Sequence, residues 1–307
     1  MALKPRVENF LRNLKRDHQL YLLALPAVLF FALFHYVPMY GVQLAFKKFV
    51  ASLGITGSPW VGFAHFEKFF NSYLFWRLIR NTIGISLYQL AAGFPVPIVI
   101  ALMLNQMRTP RYKRVVQTAL YAPHFISIVV MAGMLYTLLS PVSGMVNHLI
   151  KALGGEPVNF LSEVKWYKTI YVASEVWQHA GWKAIIYMAV LAGINPSLYE
   201  AAMIDGATMM QRIVHIELPL IMPTIVILLI LTMGQIMNVG FQKAYLLQNL
   251  LNAEASEIIA TYIYKVGLIK AQYDYSTAIN LFNTLINMVL LISVNQIAKV
   301  MRQATLW

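Results

Sequence analysis

The sequence predicts an all-α membrane protein that crosses the bilayer with six transmembrane helices. Hydrophobic residues make up 59% of the 307-residue chain and charged residues only 12%, with a mean hydropathy of +0.61. Six apolar runs are long enough to cross a hydrocarbon core about 30 Å thick, which takes about 20 helical residues. This composition excludes a soluble globular domain, because too few polar residues remain to cover its surface.

The predicted spans alternate with polar segments, of which the longer ones lie on one side of the membrane. We place the spans at 20–40, 81–104, 115–139, 170–191, 220–239 and 277–298. Together they form one membrane domain over 20–298, with an amphipathic lead-in at 1–19 and a tail at 299–307. Between spans we predict surface helices at 65–77 and 146–153. The Gly93–Pro97 break predicts a kinked span two packed inside the bundle, where freed carbonyls meet protein or water.

The basic residues predict how the chain is oriented. Clusters within 4–16 and 108–114 flank predicted spans, and such clusters favour the cytoplasmic side, so both termini are expected there. The net charge of +12 is better explained by lipid headgroups than by nucleic acid. Span one is expected to stay uncleaved, because its apolar run exceeds a signal-peptide core and no A-x-A site follows.

A polar island separates the fourth and fifth predicted spans. Asn195 can cap a helix that Pro196 begins, and Asp205-Gly206 reads as a turn because glycine tolerates a positive φ. A second helix is then predicted from Thr208 to residue 218, with the next span opening after it. The result is a helix-turn-helix at 196–218 that is too polar to cross a bilayer.

This island resembles the EAA loop of permease subunits in type I ABC importers, E-A-A-x(3)-G-A followed by I-x-L-P. The matching residues are Glu200, Ala201, Ala202, Asp205, Gly206, Ala207, Ile216, Leu218 and Pro219. The resemblance implies a MetI-like permease fold in the cytoplasmic membrane of a bacterium. It also implies that the loop is a cytoplasmic coupling helix that docks on an ATPase subunit. The alternative is an interfacial amphipathic helix without a special role.

Three predicted spans carry polar residues at helical spacing, which indicates a hydrated pathway lined by amides. Intramembrane ionisable residues usually face a bundle interior or a watery cavity. Amides and aromatic rings also suit a sugar, since they bond hydroxyls and stack on apolar ring faces. The alternative is that the amides only join helices to one another. The candidate pathway residues are Glu175, Gln178, His179, Trp182, Lys183, Gln235, Asn238, Gln242, Asn280, Asn283 and Asn287.

No catalytic or metal constellation is predicted, so the chain is not expected to be an enzyme by itself. No phosphate-binding GxxxxGK[ST] loop occurs in the sequence, so ATP and Mg²⁺ are expected in separate subunits. The Glu254/Glu257 pair is most simply a solvated face. Single histidines are expected to pack rather than ligate, and they are His124, His148, His179 and His215.

The chain also resembles permeases for complex polysaccharide fragments, including pectin- and alginate-type oligosaccharides. The resembling segments are Pro38–Lys47, Gly57–Gly62 and Asn81-Thr82. This resemblance implies an oligosaccharide substrate, a second homologous permease subunit, two ATP-binding cassette subunits and an extracytoplasmic binding protein. The alternatives are an importer for a non-sugar solute, an ion-coupled secondary transporter or channel, and a membrane scaffold.

An acidic substrate is a further hypothesis, drawn from basic residues on the predicted outer side and within span four. They are Lys47, Lys48, Lys68, Arg77, Arg80 and Lys183. A rim of positive charge would concentrate anionic sugars. Lipid headgroups explain the same residues equally well.

Overall fold

The computed structural model describes residues 16–301 and 305, which form helices joined by short turns. Most of the predicted lead-in and tail lies outside these residues. Within them, one isolated β-bridge joins Lys47 to Trp60. The longer helices in chain order are α1 His18–Phe46, α2 Ala64–Phe70, α3 Phe75–Gly93, α4 Pro95–Asn105, α5 Pro110–Tyr121, α6 Ile128–Leu138, α7 Met145–Ala152, α8 Val164–Ala192, α9 Pro196–Ile204, α10 Met209–Met233, α11 Phe241–Leu247, α12 Ala253–Ser256, α13 Ile259–Ile269 and α14 Tyr273–Val300.

Four of the described helical stretches are long and apolar enough to cross a membrane: α1, α3 with α4, α10 and α14. Two bent pairs, α5 with α6 and α8 with α9, bring the total to six if each pair is counted as one span. The 29-residue helix α8 is long enough alone but carries Glu175 and Lys183, which lower its apolar character. We refer to α1, α3/α4, α5/α6, α8, α10 and α14 as spans one to six.

Span three is not the continuous helix predicted over 115–139. The chain bends by 99° between the two halves of this span. The bend follows a 3₁₀ turn at Ala122–Phe125 that contains Pro123, which lacks a backbone donor. Helix α6 then starts from a new cap, where the Ser127 hydroxyl accepts from the Val130 N–H at 3.3 Å.

Two other boundaries differ from the sequence prediction. The surface helix predicted over 65–77 ends at Phe70, and Phe75 already begins span two. Span five ends at Met233 rather than near residue 239, and the chain continues there in turns. The predicted break in span two is confirmed, because α3 ends at Gly93 and α4 restarts at Pro95.

Span four is the centre of the bundle and packs against spans two, three and five. Towards its N-terminal half, Tyr171 and Val172 join a buried cluster with Ile85 of span two. Towards its C-terminal half, Tyr187 packs in a second cluster that contains Ile221 of span five. These two clusters hold three spans around a common space.

Span one packs differently from the others. None of its most apolar 18-residue window is buried against the described part of the chain. Only its last segment, the 3₁₀ turn Tyr40–Phe46, packs on span six, where Ala45 and Ala278 share a buried cluster.

Candidate functional site

The polar island between spans four and five forms a short helix, α9, with a cap at each end. The side chain of Asn195 accepts a hydrogen bond from the first turn at 3.0 Å. At the other end Gly206 has a φ of +74°. The Ala207 N–H donates to the Ala202 carbonyl at 2.8 Å, and the Gly206 N–H donates to the Met203 carbonyl at 3.1 Å. This is a Schellman motif, whose left-handed residue favours glycine.

The second half of the island is not a separate helix, which corrects the prediction for 208–218. Thr208 and Gln211 form a capping box that starts α10. The helix then passes through a π-helical turn at Ile213–Glu217 and continues as span five. In this turn the Leu218 N–H bonds to the Ile213 carbonyl, and Pro219, which has no N–H to donate, follows directly.

The surface of α9 and the start of α10 combines exposed apolar and acidic side chains. Glu200 and Asp205 are exposed, and Ile204 is 87% exposed. Large apolar residues that are solvent-accessible together mark an interaction surface. The other exposed apolar residues here are Leu198, Met203, Met209 and Met210. Of the remaining motif residues, Ala201 and Pro219 are exposed, and the partly buried ones are Ala202, Ala207, Ile216 and Leu218.

A cavity of about 390 Å³ lies between spans two, four and five. The predicted pathway residues that line it are Glu175, His179, Lys183, Gln235 and Asn238. Four further polar residues line the cavity that were not predicted from the sequence, and they are Ser86, Gln89, Tyr187 and Thr232. Gln89 carries a sequence signal, because it is an amide inside an apolar span just before the Gly93 break.

Other predicted pathway residues on spans four and six make contacts within the bundle. Gln178 is buried and donates from Nε2 to the Ile126 carbonyl at 2.8 Å. Asn283 and Asn287 donate from Nδ2 to Asn238 Oδ1 at 3.0 and 3.2 Å. These amides therefore connect spans four and six to neighbouring turns of the bundle, which is a structural role for them.

The remaining predicted pathway residues lie away from the cavity lining. Gln242 and Asn280 are exposed. The Trp182 ring stacks on His124 with centroids 4.4 Å apart. The face predicted for span five is wrong, because the helix ends at Met233 and its amides lie in the following turn and in α11.

Charged side chains beside the cavity form a connected network. The Lys243 ammonium of α11, only 3% exposed, lies 3.1 Å from the Glu175 carboxylate. His179 lies 3.4 Å from the same carboxylate. Burial lowers the pKa of Lys243, and the Glu175 carboxylate opposes that shift. Glu175 therefore has the partner that its position inside a span requires.

Two sequence interpretations of titratable residues are corrected by the structure. His124 and His179 are not isolated, since their Nδ1 atoms are 3.0 Å apart. Glu257 is not a freely solvated acid, because its carboxylate pairs with Lys265 at 2.9 Å. Within the described residues, no group of three or more histidine or acidic side chains is placed to hold a metal ion.

The segments that carry the polysaccharide-permease resemblance have structural roles. Lys47 is buried and donates to the carbonyls of Ile55 and Thr56 at 2.8 and 3.1 Å, so it does not belong to an exposed basic rim. Asn81 donates from Nδ2 to the carbonyls of Glu254 and Glu257 at 2.7 and 3.0 Å. The end of span one and the beginning of span two thus organise loops on the side opposite α9.

Known proteins resemble this chain over nearly its whole length. The polygalacturonan/rhamnogalacturonan transport system permease protein YteP of Bacillus subtilis (strain 168) is 42% identical over 296 residues, which cover 96% of this chain and 92% of that protein. Protein LplB of the same organism is 41% identical over 291 residues, covering 95% and 92%.

Solved structures agree with the sequence relatives. A chain of a bacterial ABC transporter involved in the import of the acidic polysaccharide alginate is 42% identical, with a TM-score of 0.88, covering 95% of this chain and 98% of that one. A second structure, of a bacterial alginate ABC transporter in complex with an alginate pentasaccharide-bound periplasmic protein, gives 41% identity and a TM-score of 0.88, covering 96% and 99%.

The family model described as "binding-protein-dependent transport system inner membrane component" matches residues 93–305. This range contains α9 and the last three spans, and it therefore includes the part of span four that lines the cavity. Together with the relatives it confirms the predicted permease family and fold. The chain therefore belongs to the binding-protein-dependent inner membrane components, which are the permeases of ABC importers.

Proposed function

We propose that this chain is a membrane-spanning subunit of an ATP-driven, binding-protein-dependent importer that moves a carboxylate-bearing oligosaccharide into the cytoplasm. The names of YteP and of the two alginate transporter structures support a uronate-containing substrate. ATP and Mg²⁺ would be bound by partner subunits, and this chain would be non-catalytic. Its partners would be a second homologous permease, two ATP-binding cassette subunits and an extracytoplasmic binding protein.

The proposal of an acidic substrate rests on the balance of charged residues that line the cavity. Glu175 is neutralised within the protein by Lys243, whose ammonium lies 3.1 Å from its carboxylate. Lys183 also lines the cavity, and no described carboxylate lies within 4.0 Å of its ammonium. A cavity with this uncompensated cation attracts an anionic ligand, and its low-dielectric walls strengthen the attraction.

The uncharged lining suits the rest of a sugar. Gln89 and Gln235 can donate and accept hydrogen bonds, and Thr232 and Tyr187 supply hydroxyls. Apolar walls such as Phe94 complete the lining. A few oriented polar groups on an otherwise apolar surface are the usual composition of small-ligand sites.

The α9 loop would provide the connection to ATP hydrolysis. Its caps make it short and rigid, and its exposed Met203 and Ile204 offer an apolar docking face. Glu200 would pair with a basic residue of the ATPase subunit. In this arrangement α9 and both termini lie in the cytoplasm, and the loops that Lys47 and Asn81 organise face outward.

Uptake by proteoliposomes that contain the complete complex tests the proposal. With ATP inside and binding protein outside, we expect uptake of an oligogalacturonate but little uptake of a neutral oligosaccharide of equal length. Lys183→Gln should reduce uptake of the anionic sugar about tenfold, as expected for a lost charge-assisted hydrogen bond. Lys165→Gln is the matched control, since this exposed lysine pairs with Glu163.

Two results would contradict the proposal. Equal uptake of both sugars, with no difference between Lys183→Gln and the control, would exclude selection of acidic substrates. Uptake driven by an ion gradient without the ATPase subunits would favour a secondary transporter.

A further inference from the structure

A buried carboxylate lies where α9 meets the ends of two spans. Glu217 is fully buried at the last position of the π-helical turn. Its Oε1 accepts hydrogen bonds from Asn105 Nδ2 at 2.9 Å and from Gln106 Nε2 at 2.6 Å. No residue in the described ranges donates to the other carboxylate oxygen, which is also buried. This side chain has no role in the cavity or on the exposed face of α9.

The cluster joins three elements that the chain connects only indirectly. Asn105 is the last residue of α4, Gln106 follows it, and Glu217 belongs to the beginning of span five. The Tyr199 hydroxyl of α9 accepts from Asn105 Nδ2 at 3.4 Å and lies within electrostatic reach of the Glu217 carboxylate. One acidic side chain thus meets groups from span two and from α9.

Simple packing does not require an acid at this position. The neighbouring cluster of Ala101, Leu191 and Ile221 is apolar, with Leu218 against it. Burying a carboxylate among such residues is costly, and a hydrophobic residue of similar volume is often equally or more stabilising. Packing alone therefore does not account for the acid, and its hydrogen bonds are the feature that a function would use.

The π-helical turn also determines the direction of this carboxylate. A π turn contains one more residue than an α turn, and each residue advances a helix by about 100°. A regular α-helix through Ile213–Glu217 would therefore point residue 217 to a different side. Single π turns in long helices occur frequently at functional sites.

We propose that Glu217 is a positioning residue that makes α9 and the adjoining ends of spans two and five move as one body. Sliding of span five against span two would take the carboxylate away from the Asn105 and Gln106 donors, and sliding of α9 would break the contact between Tyr199 and Asn105. The cluster therefore resists both movements. Span two and span five also supply walls of the cavity, through Pro97 and Leu228. Movement of α9 therefore reaches the cavity. This inference rests on the proposed function.

The test measures sugar molecules imported per ATP hydrolysed in proteoliposomes that contain the complete complex. Glu217→Ala removes the shared acceptor and should lower this ratio about fivefold, while basal ATP hydrolysis stays within about twofold of the wild type. Glu217→Gln retains one acceptor oxygen for both amides and should restore at least about half of the ratio. Glu163→Gln, at a solvent-accessible ion pair where α8 begins, is the control and should leave the ratio unchanged.

The outcomes separate this inference from the proposed function. A wild-type complex that imports no oligosaccharide would contradict the proposed function. A wild-type complex that imports normally, with an unchanged ratio in Glu217→Ala, would overturn only the role of Glu217. A ratio as low in Glu217→Gln as in Glu217→Ala would also overturn it, because keeping the acceptor would then make no difference.

A second variant keeps the test informative if Glu217→Ala does not assemble. Gln106→Ala removes one donor from a partly buried side chain and leaves the carboxylate with its bond from Asn105. We expect the ratio to fall about threefold. An unchanged ratio in this variant would overturn the inference.

Discussion

The ammonium of Lys243 lies 3.1 Å from the carboxylate of Glu175, although 68 residues separate them along the chain. This pair fixes α11 to the middle of span four, beside the cavity. Removing one partner of a buried ion pair leaves the other charge uncompensated. Glu175→Gln should therefore destabilise the protein by about 3 kcal/mol.

Thermal unfolding of the purified complex checks this value. Adding Lys243→Met to Glu175→Gln should recover much of the lost stability, because it removes the stranded charge. Glu163→Gln changes only an exposed pair and should shift stability by less than about 0.5 kcal/mol. A melting temperature for Glu175→Gln equal to that of this control would contradict the role of the pair.

Asn81 should stabilise the loop that follows α11. Asn81→Ala leaves the backbone carbonyls of Glu254 and Glu257 without their amide donor. We expect this to lower the stability of the protein by about 2 kcal/mol. Faster hydrogen exchange across 253–259 would report the loosened contact. Asn280→Ala, at an exposed amide, should leave this exchange unchanged. Equal protection in both variants would show that the contact contributes little.

The Schellman motif of α9 should be required for coupling. Gly206→Pro imposes a φ near −65° where the backbone has +74°, and it removes the N–H that bonds to Met203. We expect sugar-stimulated ATP hydrolysis to be lost while membrane insertion persists. Glu200→Arg should have the same effect, because it reverses a charge on the docking face.

Gly154→Pro is the matched control for the change at Gly206. Gly154 has a φ of +83°, and its N–H likewise donates within a helix end, to Lys151. The backbone defect is therefore equivalent, but it lies after α7 rather than in α9. Loss of stimulated hydrolysis in both variants, or in neither, would argue against a special role for the α9 loop.

The contact between spans three and four should depend on Gly181. A Cβ atom at this position would overlap the backbone carbonyl of Leu120, so the two helices could not keep their separation. Gly181→Ala should therefore lower the thermal stability of the complex, despite the higher helix propensity of alanine.

Gly133→Ala provides the comparison, because nothing lies within 4 Å of the added methyl group in this helix. It should be neutral or stabilising by up to about 1 kcal/mol. If Gly181→Ala behaved in the same way, the close approach of spans three and four would not limit stability.

Features with local causes could be predicted from the sequence. Asn195, Gly206 and Thr208 act at helix ends as their residue types predict, because capping depends on neighbours a few residues away. The spans could be predicted from hydropathy, because a run of apolar residues is also a local property of the sequence. The break at Gly93 was also visible, since proline removes a donor wherever it occurs.

Features that depend on contacts between residues far apart in the sequence could not be predicted. The pairing of Glu175 with Lys243 depends on how α11 folds back, which no spacing along the chain encodes. Span five stops at Met233, and in the turn that follows the Met237 N–H donates to the Asn287 side chain of span six at 3.0 Å. The same contact uses Asn287, an amide that the sequence assigned to the pathway.

The most direct test of the claim that α9 connects cytoplasmic ATP hydrolysis to these spans is the accessibility of position 205 to a membrane-impermeant reagent. The chain contains no cysteine, so Asp205→Cys introduces a single exposed thiol. A membrane-impermeant maleimide should label it in inside-out vesicles only, and added ATPase subunits should protect it. Labelling in right-side-out vesicles, or full labelling in the presence of bound ATPase subunits, would contradict the account.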